Sequence, residues 1–138
     1  MGQQRVLFLC TQNSARSQMA EGLLRARGGS RYEAFSAGTE ATKVRPEALQ
    51  VMAELGIDIS DQRSKRIDRY LGDAFDWVIT VCDRARESCP VFPGATQSLH
   101  WDFDDPAAVD GADADRLAAF RRIRDEIDRE IQAFVAAG

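Results

Sequence analysis

A cysteine, an arginine and a serine stand close together near the start of the chain, directly after a run of apolar residues. Five residues separate Cys10 from Arg16, and Ser17 follows at once. A cysteine in a positive environment is favoured as the thiolate, which is the nucleophilic form. Arg16 can hold two oxygens of a tetrahedral oxyanion with paired hydrogen bonds, and Ser17 can donate a hydrogen bond to the sulfur. The spacing therefore indicates nucleophilic chemistry on a bound oxyanion.

The loop between the cysteine and the arginine suits anion binding by the backbone. It consists of Thr11, Gln12, Asn13, Ser14 and Ala15. Asn13 tolerates the left-handed conformation of a tight loop, and the two small residues after it let an anion approach the main chain. A helix N-terminus follows, where backbone N–H groups and the helix dipole attract negative charge. We therefore expect residues 11–16, here called the cradle, to bind the oxyanion.

Strand and helix patterns alternate around the cradle. Arg5 to Leu9 reads as a buried strand, and apolar residues at helical spacing predict a helix from Ser17 to about Arg27. Three further strands are expected at 32–37, 76–81 and 97–101, and two further helices at 46–56 and about 117–134. Such alternation favours an α/β fold with an open parallel sheet. We expect a flavodoxin-like sheet of four strands in the order 2-1-3-4, flanked by helices, with the cradle at its carboxyl edge.

Composition limits the class of protein. A length of 138 residues with 44% hydrophobic content fits a single domain, residues 1–138. A net charge of −4 gives no general attraction to nucleic acid or to anionic membranes. The chain contains neither a membrane-spanning run nor a secretory signal, so we expect a cytoplasmic protein, acting as a monomer. Three cysteines and one histidine match no zinc pattern, so we expect no bound metal.

Several segments resemble one known family. CTQNSARSQMAEG is similar to the arsenate reductase branch of the low-molecular-weight protein tyrosine phosphatase fold, and five later segments match that branch in the same order. They are FSAGTE at 35–40, GIDIS at 56–60, VITVCD at 78–83, CPVFP at 89–93 and HWDFDDPA at 100–107. The resemblance implies reduction of arsenate to arsenite through an adduct of Cys10 with arsenic.

The other two cysteines fit a thiol relay. If the sheet order is 2-1-3-4, the strands ending at Cys10 and Cys82 are neighbours about 4.8 Å apart, which brings a disulfide within reach. Cys89 is too far from Cys82 if the residues between them are helical, so that segment would have to unwind. The resemblance implies a Cys10–Cys82 intermediate and a Cys82–Cys89 product, which thioredoxin reduces without a bound cofactor.

Three acids could supply the proton that a leaving oxygen needs. Asp102, Asp104 and Asp105 all lie in one loop, and their spacing does not choose among them. The resemblance implies Asp105, directly before Pro106, as the general acid.

Two positions depart from the family pattern. Gln12 stands where glycine is usual. Lys65 stands where a cation site formed with Asn13, Glu21 and Ser36 would have an acidic partner. We expect the Lys65 ammonium to replace that cation, so potassium is not required.

Other functions remain open at this point. A phosphatase that hydrolyses phosphate monoesters through a phosphocysteine at Cys10 would use the same cradle, and a weak activity of this kind is expected. Some relatives use a small thiol in place of thioredoxin. A redox sensor without catalysis would leave the set of Cys10, Arg16 and Asp105 without a purpose.

Overall fold

The sheet has four parallel strands in the expected order. A computed structural model describes residues 3–83, 87 and 91–138. The strands are β1 (Gln4–Cys10), β2 (Tyr32–Gly38), β3 (Phe75–Thr80) and β4 (Ala95–His100). They lie in the order β2-β1-β3-β4, and every pair is parallel. The flavodoxin-like 2-1-3-4 sheet is thus confirmed.

The central strand β1 is apolar on both faces because both faces of the sheet are covered. Val6, Leu7, Phe8 and Leu9 are fully buried. Strands of this kind read as continuous apolar runs, since an alternating pattern needs one wet face. This run carries the chain directly to Cys10, so the candidate nucleophile sits at the end of the buried central strand.

Three helices lie against one face of the sheet. They are α1 (Arg16–Gly28), α2 (Pro46–Ala53) and α3 (Asp113–Ala137). Helices α1 and α3 pack on each other, and the buried residues Met19, Leu23 and Ile127 belong to the larger hydrophobic core with Val6 and Phe8. None of the helices in the described ranges is both long and apolar enough to cross a membrane.

The opposite face is covered by aromatic side chains. Tyr70, from the short 3-10 helix Ile67–Tyr70, packs edge-on against Phe75 of β3, and Phe92 packs on the other side of the same ring. Leu7 and Leu9 complete this second core. The sheet is therefore held from both sides, and its carboxyl edge, where Cys10 ends β1, is left for the site.

Candidate active site

The cradle joins β1 to α1 as expected. Cys10 is the last residue of β1, Arg16 is the first of α1, and Asn13 between them has a left-handed φ of 52°. The loop packs closely on the end of β2, because a Cβ on Gly38 would lie 2.6 Å from the Thr11 carbonyl oxygen and 2.9 Å from the Asn13 nitrogen. Glycine is therefore needed at position 38 to let the cradle close over the sheet.

The Cys10 sulfur is a free thiol inside this loop. Its side chain is buried. The backbone N–H of Asn13 donates to Sγ at 3.2 Å, and the Ser17 hydroxyl oxygen lies 2.8 Å from Sγ. Both contacts stabilise a thiolate if Ser17 is the donor.

The surrounding hydrogen bonds determine how the Asn13 amide is oriented toward Ser17. The backbone N–H of Lys65 can only donate, so its 2.8 Å contact identifies the Asn13 Oδ1 atom as the oxygen. Asn13 Nδ2 therefore donates to the Ser17 oxygen at 2.7 Å. An ionised Cys10 sulfur can only accept, so in the thiolate form the single Ser17 hydrogen points at Cys10. The chain Lys65 to Asn13 to Ser17 to Cys10 thus directs a hydrogen bond onto the nucleophile.

Two buried glutamines, whose role no sequence motif predicts, hold Asn13 in place. Gln18 Nε2 donates to Asn13 Oδ1 at 2.9 Å and to the Arg63 carbonyl oxygen at 2.8 Å. Gln62 Nε2 in turn donates to Gln18 Oε1 at 2.8 Å. The burial of both side chains is the signal of this network, and burial follows from contacts between distant segments.

Arg16 is buried, and its charge is balanced by Glu87, a residue that was not predicted to belong to the site. Nη1 and Nη2 of Arg16 donate to the two carboxylate oxygens of Glu87 at 2.5 and 2.8 Å. Burial alone would lower the pKa of Arg16, but the bond to Glu87 and the nearby Cys10, Asp105 and Glu87 charges raise it. Burial likewise opposes ionisation of Glu87, yet bonds from Arg16 and from the Asp83 N–H lower its pKa to about 2. Both groups are therefore charged at neutral pH.

The structure distinguishes the three acids that follow β4. Asp105 Oδ2 lies 3.9 Å from Arg16 Nη2, and Asp105 Oδ1 accepts from the Ala107 N–H at 2.9 Å. Asp104 is directed instead to Arg122 at 3.9 Å, and Asp102 to His100 at 3.4 Å. Among these three, Asp105 is the acid beside the cradle.

Cys82 lies at the same edge of the sheet as Cys10. Leu9 of β1 is in register with Thr80 of β3, and the Val81 N–H donates to the Leu9 carbonyl oxygen at 2.8 Å. Cys10 therefore follows Leu9 while Cys82 follows Val81, with both side chains buried. Cys82 is disulfide-bonded in this structure. Cys89, the third expected relay cysteine, lies outside the described residues, so both expected disulfides stay predictions.

Lys65 lies beside Glu21, one of the residues of the expected cation site. Its Nζ atom lies 3.7 Å from Glu21 Oε1 and donates to the Arg63 carbonyl oxygen. Ser36 donates to the same Glu21 oxygen, and Arg25 pairs with Oε2 at 2.7 Å. Burial lowers the pKa of Lys65, and the Glu21 charge only partly offsets that effect. Among the described residues no cluster of three or more possible metal ligands is found.

Two adjoining spaces share Asp105. A recess of about 10 Å³ is lined by Asp105 with Cys10, Arg16 and the cradle residues Thr11, Gln12, Ser14 and Ala15. A larger pocket of about 340 Å³ beside it is lined by Asp105 with Asp83, Glu87, Asp104, Ala108, Val109 and Arg122. An oxyanion seated over the recess would therefore lie next to Asp105 and open toward the larger pocket.

Comparisons with known proteins agree with this geometry. The family model described as low molecular weight phosphotyrosine protein phosphatase matches residues 5–137. The chain is 46% identical over 138 residues to a protein of Halalkalibacterium halodurans named arsenate reductase, covering 100% of this chain and 99% of that protein.

Solved structures give the same picture. An arsenate reductase in the phosphate binding state is similar with a TM-score of 0.83 and 33% identity, covering 97% of this chain and 98% of that chain. A thioredoxin-dependent arsenate reductase from Corynebacterium glutamicum is similar with a TM-score of 0.74 and 31% identity, covering 98% of this chain and 61% of that chain.

Proposed function

We propose that this chain, which belongs to the low molecular weight phosphotyrosine protein phosphatase family, reduces arsenate to arsenite. The observation that carries the proposal is the full-length similarity to a protein named arsenate reductase. It is supported by a free, buried Cys10 that receives two hydrogen bonds at the base of an oxyanion cradle. We further propose that the protein acts as a single-domain cytoplasmic monomer in resistance to arsenic.

The first step is attack of the Cys10 thiolate on arsenate. The backbone N–H groups of residues 11–16 and the Arg16 guanidinium hold the oxyanion. A sulfur–arsenic bond forms and an arsenic–oxygen bond breaks. The departing arsenate hydroxyl leaves as water after taking a proton from Asp105, the acid closest to Arg16 among the three candidates.

The second step reduces the arsenic. The Cys82 thiolate attacks the Cys10 sulfur, forming a Cys10–Cys82 disulfide, and the sulfur–arsenic bond breaks with both of its electrons remaining on arsenic. Arsenic(V) thus leaves as arsenite, and the two cysteines together lose two electrons. The register of Leu9 with Thr80 supports this step, because it brings the two cysteines to one edge of the sheet. Since Cys82 is disulfide-bonded in this structure, the step requires prior reduction of the protein.

The last steps restore the nucleophile. Cys89 attacks the Cys82 sulfur, which releases the Cys10 thiolate and forms a Cys82–Cys89 disulfide. A thioredoxin dithiol then reduces that disulfide by thiol exchange. The likeness to a thioredoxin-dependent arsenate reductase supports this choice of reductant over a small thiol.

Phosphatase activity is the second candidate, because the matching family model is described by it. The cradle cannot separate phosphate from arsenate by shape. Attack on a phosphate monoester would form a phosphocysteine at Cys10, and water would then release phosphate without any role for Cys82. We propose that this reaction is weak and is secondary to the reductase.

One experiment separates the two functions. Arsenate-dependent NADPH consumption is followed with thioredoxin and its reductase, for the wild type and for Cys82→Ser, Cys89→Ser and Cys10→Ser. The two relay variants should complete no more than a single turnover, yet keep hydrolysis of p-nitrophenyl phosphate, whereas Cys10→Ser should lose both. Ser98→Ala on the exposed face of β4 is the matched control and should behave as wild type. Multiple turnover in both relay variants would refute the relay.

A further inference from the structure

We propose that Glu87 is a positioning residue, which holds the outer end of the Arg16 guanidinium so that its side edge faces the cradle. The inference rests on the proposed function, since it takes Arg16 as the group that binds the oxyanion. It assigns a role in oxyanion affinity to a residue outside the cradle.

Arg16 has more hydrogen-bond donors than its described protein partners use. A guanidinium has five N–H bonds, two on each terminal nitrogen and one on Nε. Nη1 donates to Glu87 Oε2 at 2.5 Å and to the Phe103 carbonyl oxygen at 3.1 Å, so both of its hydrogens are used. Nη2 donates once to Glu87, at 2.8 Å. Among the described residues, the Nε hydrogen and the second Nη2 hydrogen have no acceptor within hydrogen-bond distance, and Asp105 Oδ2 lies 3.9 Å from Nη2. These two hydrogens form the side edge that fits two oxygens of an oxyanion.

Glu87 is itself held in place by further hydrogen bonds. Its Oε1 atom also accepts from the Thr11 hydroxyl at 2.9 Å, and Oε2 accepts from the Asp83 N–H at 2.9 Å. Side-chain exposure is only 4% for Arg16 and 16% for Glu87. A carboxylate fixed by four donors can fix an arginine in turn, because neither partner rotates without breaking several charge-assisted bonds.

Glu87 contacts Arg16 from the larger pocket beside the cradle. Glu87 lines the pocket of about 340 Å³ and is not among the residues that line the cradle recess. Glu87 is therefore not part of the recess wall, although it accepts from two residues that are, Thr11 and Arg16. A carboxylate that competed for the oxyanion position would instead line the recess beside Cys10.

Loss of the Glu87 contact should weaken oxyanion binding, because Arg16 would no longer be pre-organised. An arginine without this partner has to be ordered when the oxyanion binds, and that entropy cost reduces affinity. Glu87→Gln keeps the shape but offers Arg16 only one oxygen, so we expect the dissociation constant of inorganic phosphate to rise roughly tenfold. Glu87→Asp keeps the charge but is shorter, and should lie between the two. The KM for arsenate should rise in parallel, with a smaller change in kcat.

The test is calorimetric titration of inorganic phosphate into the protein with Cys82 disulfide-bonded, the state of this structure, and then into the reduced protein. Glu54→Gln is the matched control, because Glu54 also pairs with arginines, Arg121 and Arg124, but far from the cradle. Weaker phosphate binding in both Glu87 variants, with thermal unfolding close to wild type and Glu54→Gln unchanged, supports the proposal. If Glu87→Gln does not fold, Glu87→Asp decides the matter.

Unchanged or tighter phosphate binding would overturn the positioning role, and tighter binding would identify Glu87 as a competing anion. The wild-type reductase assay keeps the two proposals apart. If the wild type reduces arsenate while the Glu87 variants bind phosphate normally, only this inference fails. If the wild type binds phosphate but does not reduce arsenate, the proposed function fails instead.

Discussion

Removal of the Ser17 hydroxyl tests the hydrogen-bond chain that ends at the Cys10 sulfur. The Lys65 N–H donates to the Asn13 amide oxygen, and the Asn13 amide nitrogen donates to the Ser17 oxygen. The Ser17 hydrogen can then be donated to the ionised Sγ at 2.8 Å. In Ser17→Ala the sulfur loses this donor, while the backbone N–H of Asn13 still donates at 3.2 Å. We therefore expect the Cys10 thiolate to be less favoured, but not lost.

The size of the effect follows from the type of bond. A hydrogen bond to a charged group contributes about 1.5–3 kcal/mol. Since the remaining Asn13 donor compensates in part, the lower end of that range applies. A difference of about 1.4 kcal/mol is a factor of ten in an equilibrium constant. In the pH range where the alkylation rate still rises with pH, alkylation of Cys10 should therefore slow about tenfold in Ser17→Ala.

The assay measures the rate of iodoacetamide reaction under reducing conditions. It uses a Cys82→Ser, Cys89→Ser background, in which Cys10 is the only cysteine. Ser98→Ala, the same change on the exposed face of β4, serves as control and should leave the rate unchanged. An alkylation rate in Ser17→Ala within twofold of the parent would show that the Ser17 hydrogen does not point at the sulfur, and the donor assignment would be wrong.

Three further predictions concern the surroundings of the cradle. Gly38→Ala should lower the free energy of unfolding by about 1–3 kcal/mol in urea titrations, because its Cβ would meet backbone atoms at 2.6–3.0 Å; wild-type stability would contradict this close approach. Arsenate turnover should be the same in potassium and in sodium salts if the Lys65 ammonium, 3.7 Å from Glu21, replaces the cation as predicted. A potassium-dependent wild type would contradict that prediction. Although burial opposes it, Arg16 holds the pKa of Glu87 at about 2, below the usual 4.5, so its stabilisation is complete above about pH 4.5 and is lost toward pH 2. The difference in unfolding free energy between wild type and Glu87→Gln should shrink over that range, and a difference independent of pH would show that the carboxylate charge contributes little.

The fold and the centre of the site could be predicted because their signals are local. The apolar run before Cys10, the small polar loop and the helical spacing after Arg16 all lie within one stretch of sequence, and they gave the strand, the cradle and α1. The strand order was expected from the resemblance to a known fold, and it is one of the few topologies that satisfy the rules for parallel sheets. Element ends differ by up to about four residues, as in β4, which begins at Ala95 instead of Gln97, and in α3, which begins at Asp113 instead of about Leu117.

The second layer of the site could not be predicted because it depends on contacts between distant segments. Glu87 is 71 residues from Arg16, and Gln62 is 44 residues from Gln18. Glutamines and glutamates are usually exposed, so nothing in their type predicts burial. The choice of Asp105 among three acids has the same cause, since its distance to Arg16 depends on how the loop after β4 returns to the cradle.

The difference between a hydrolase and a reductase on this scaffold lies in the sheet and not in the cradle. The cradle can bind either oxyanion and present Cys10 to it, so it determines only the first covalent step. Reduction requires a second sulfur at the back of the adduct, and that position depends on the pairing of Leu9 with Thr80 between β1 and β3. A shift of one residue in that pairing would turn the residues that follow β3 toward the opposite face. Substitutions in the buried core that loosen the pairing of β1 with β3 should therefore reduce arsenate turnover more than hydrolysis of a phosphate ester.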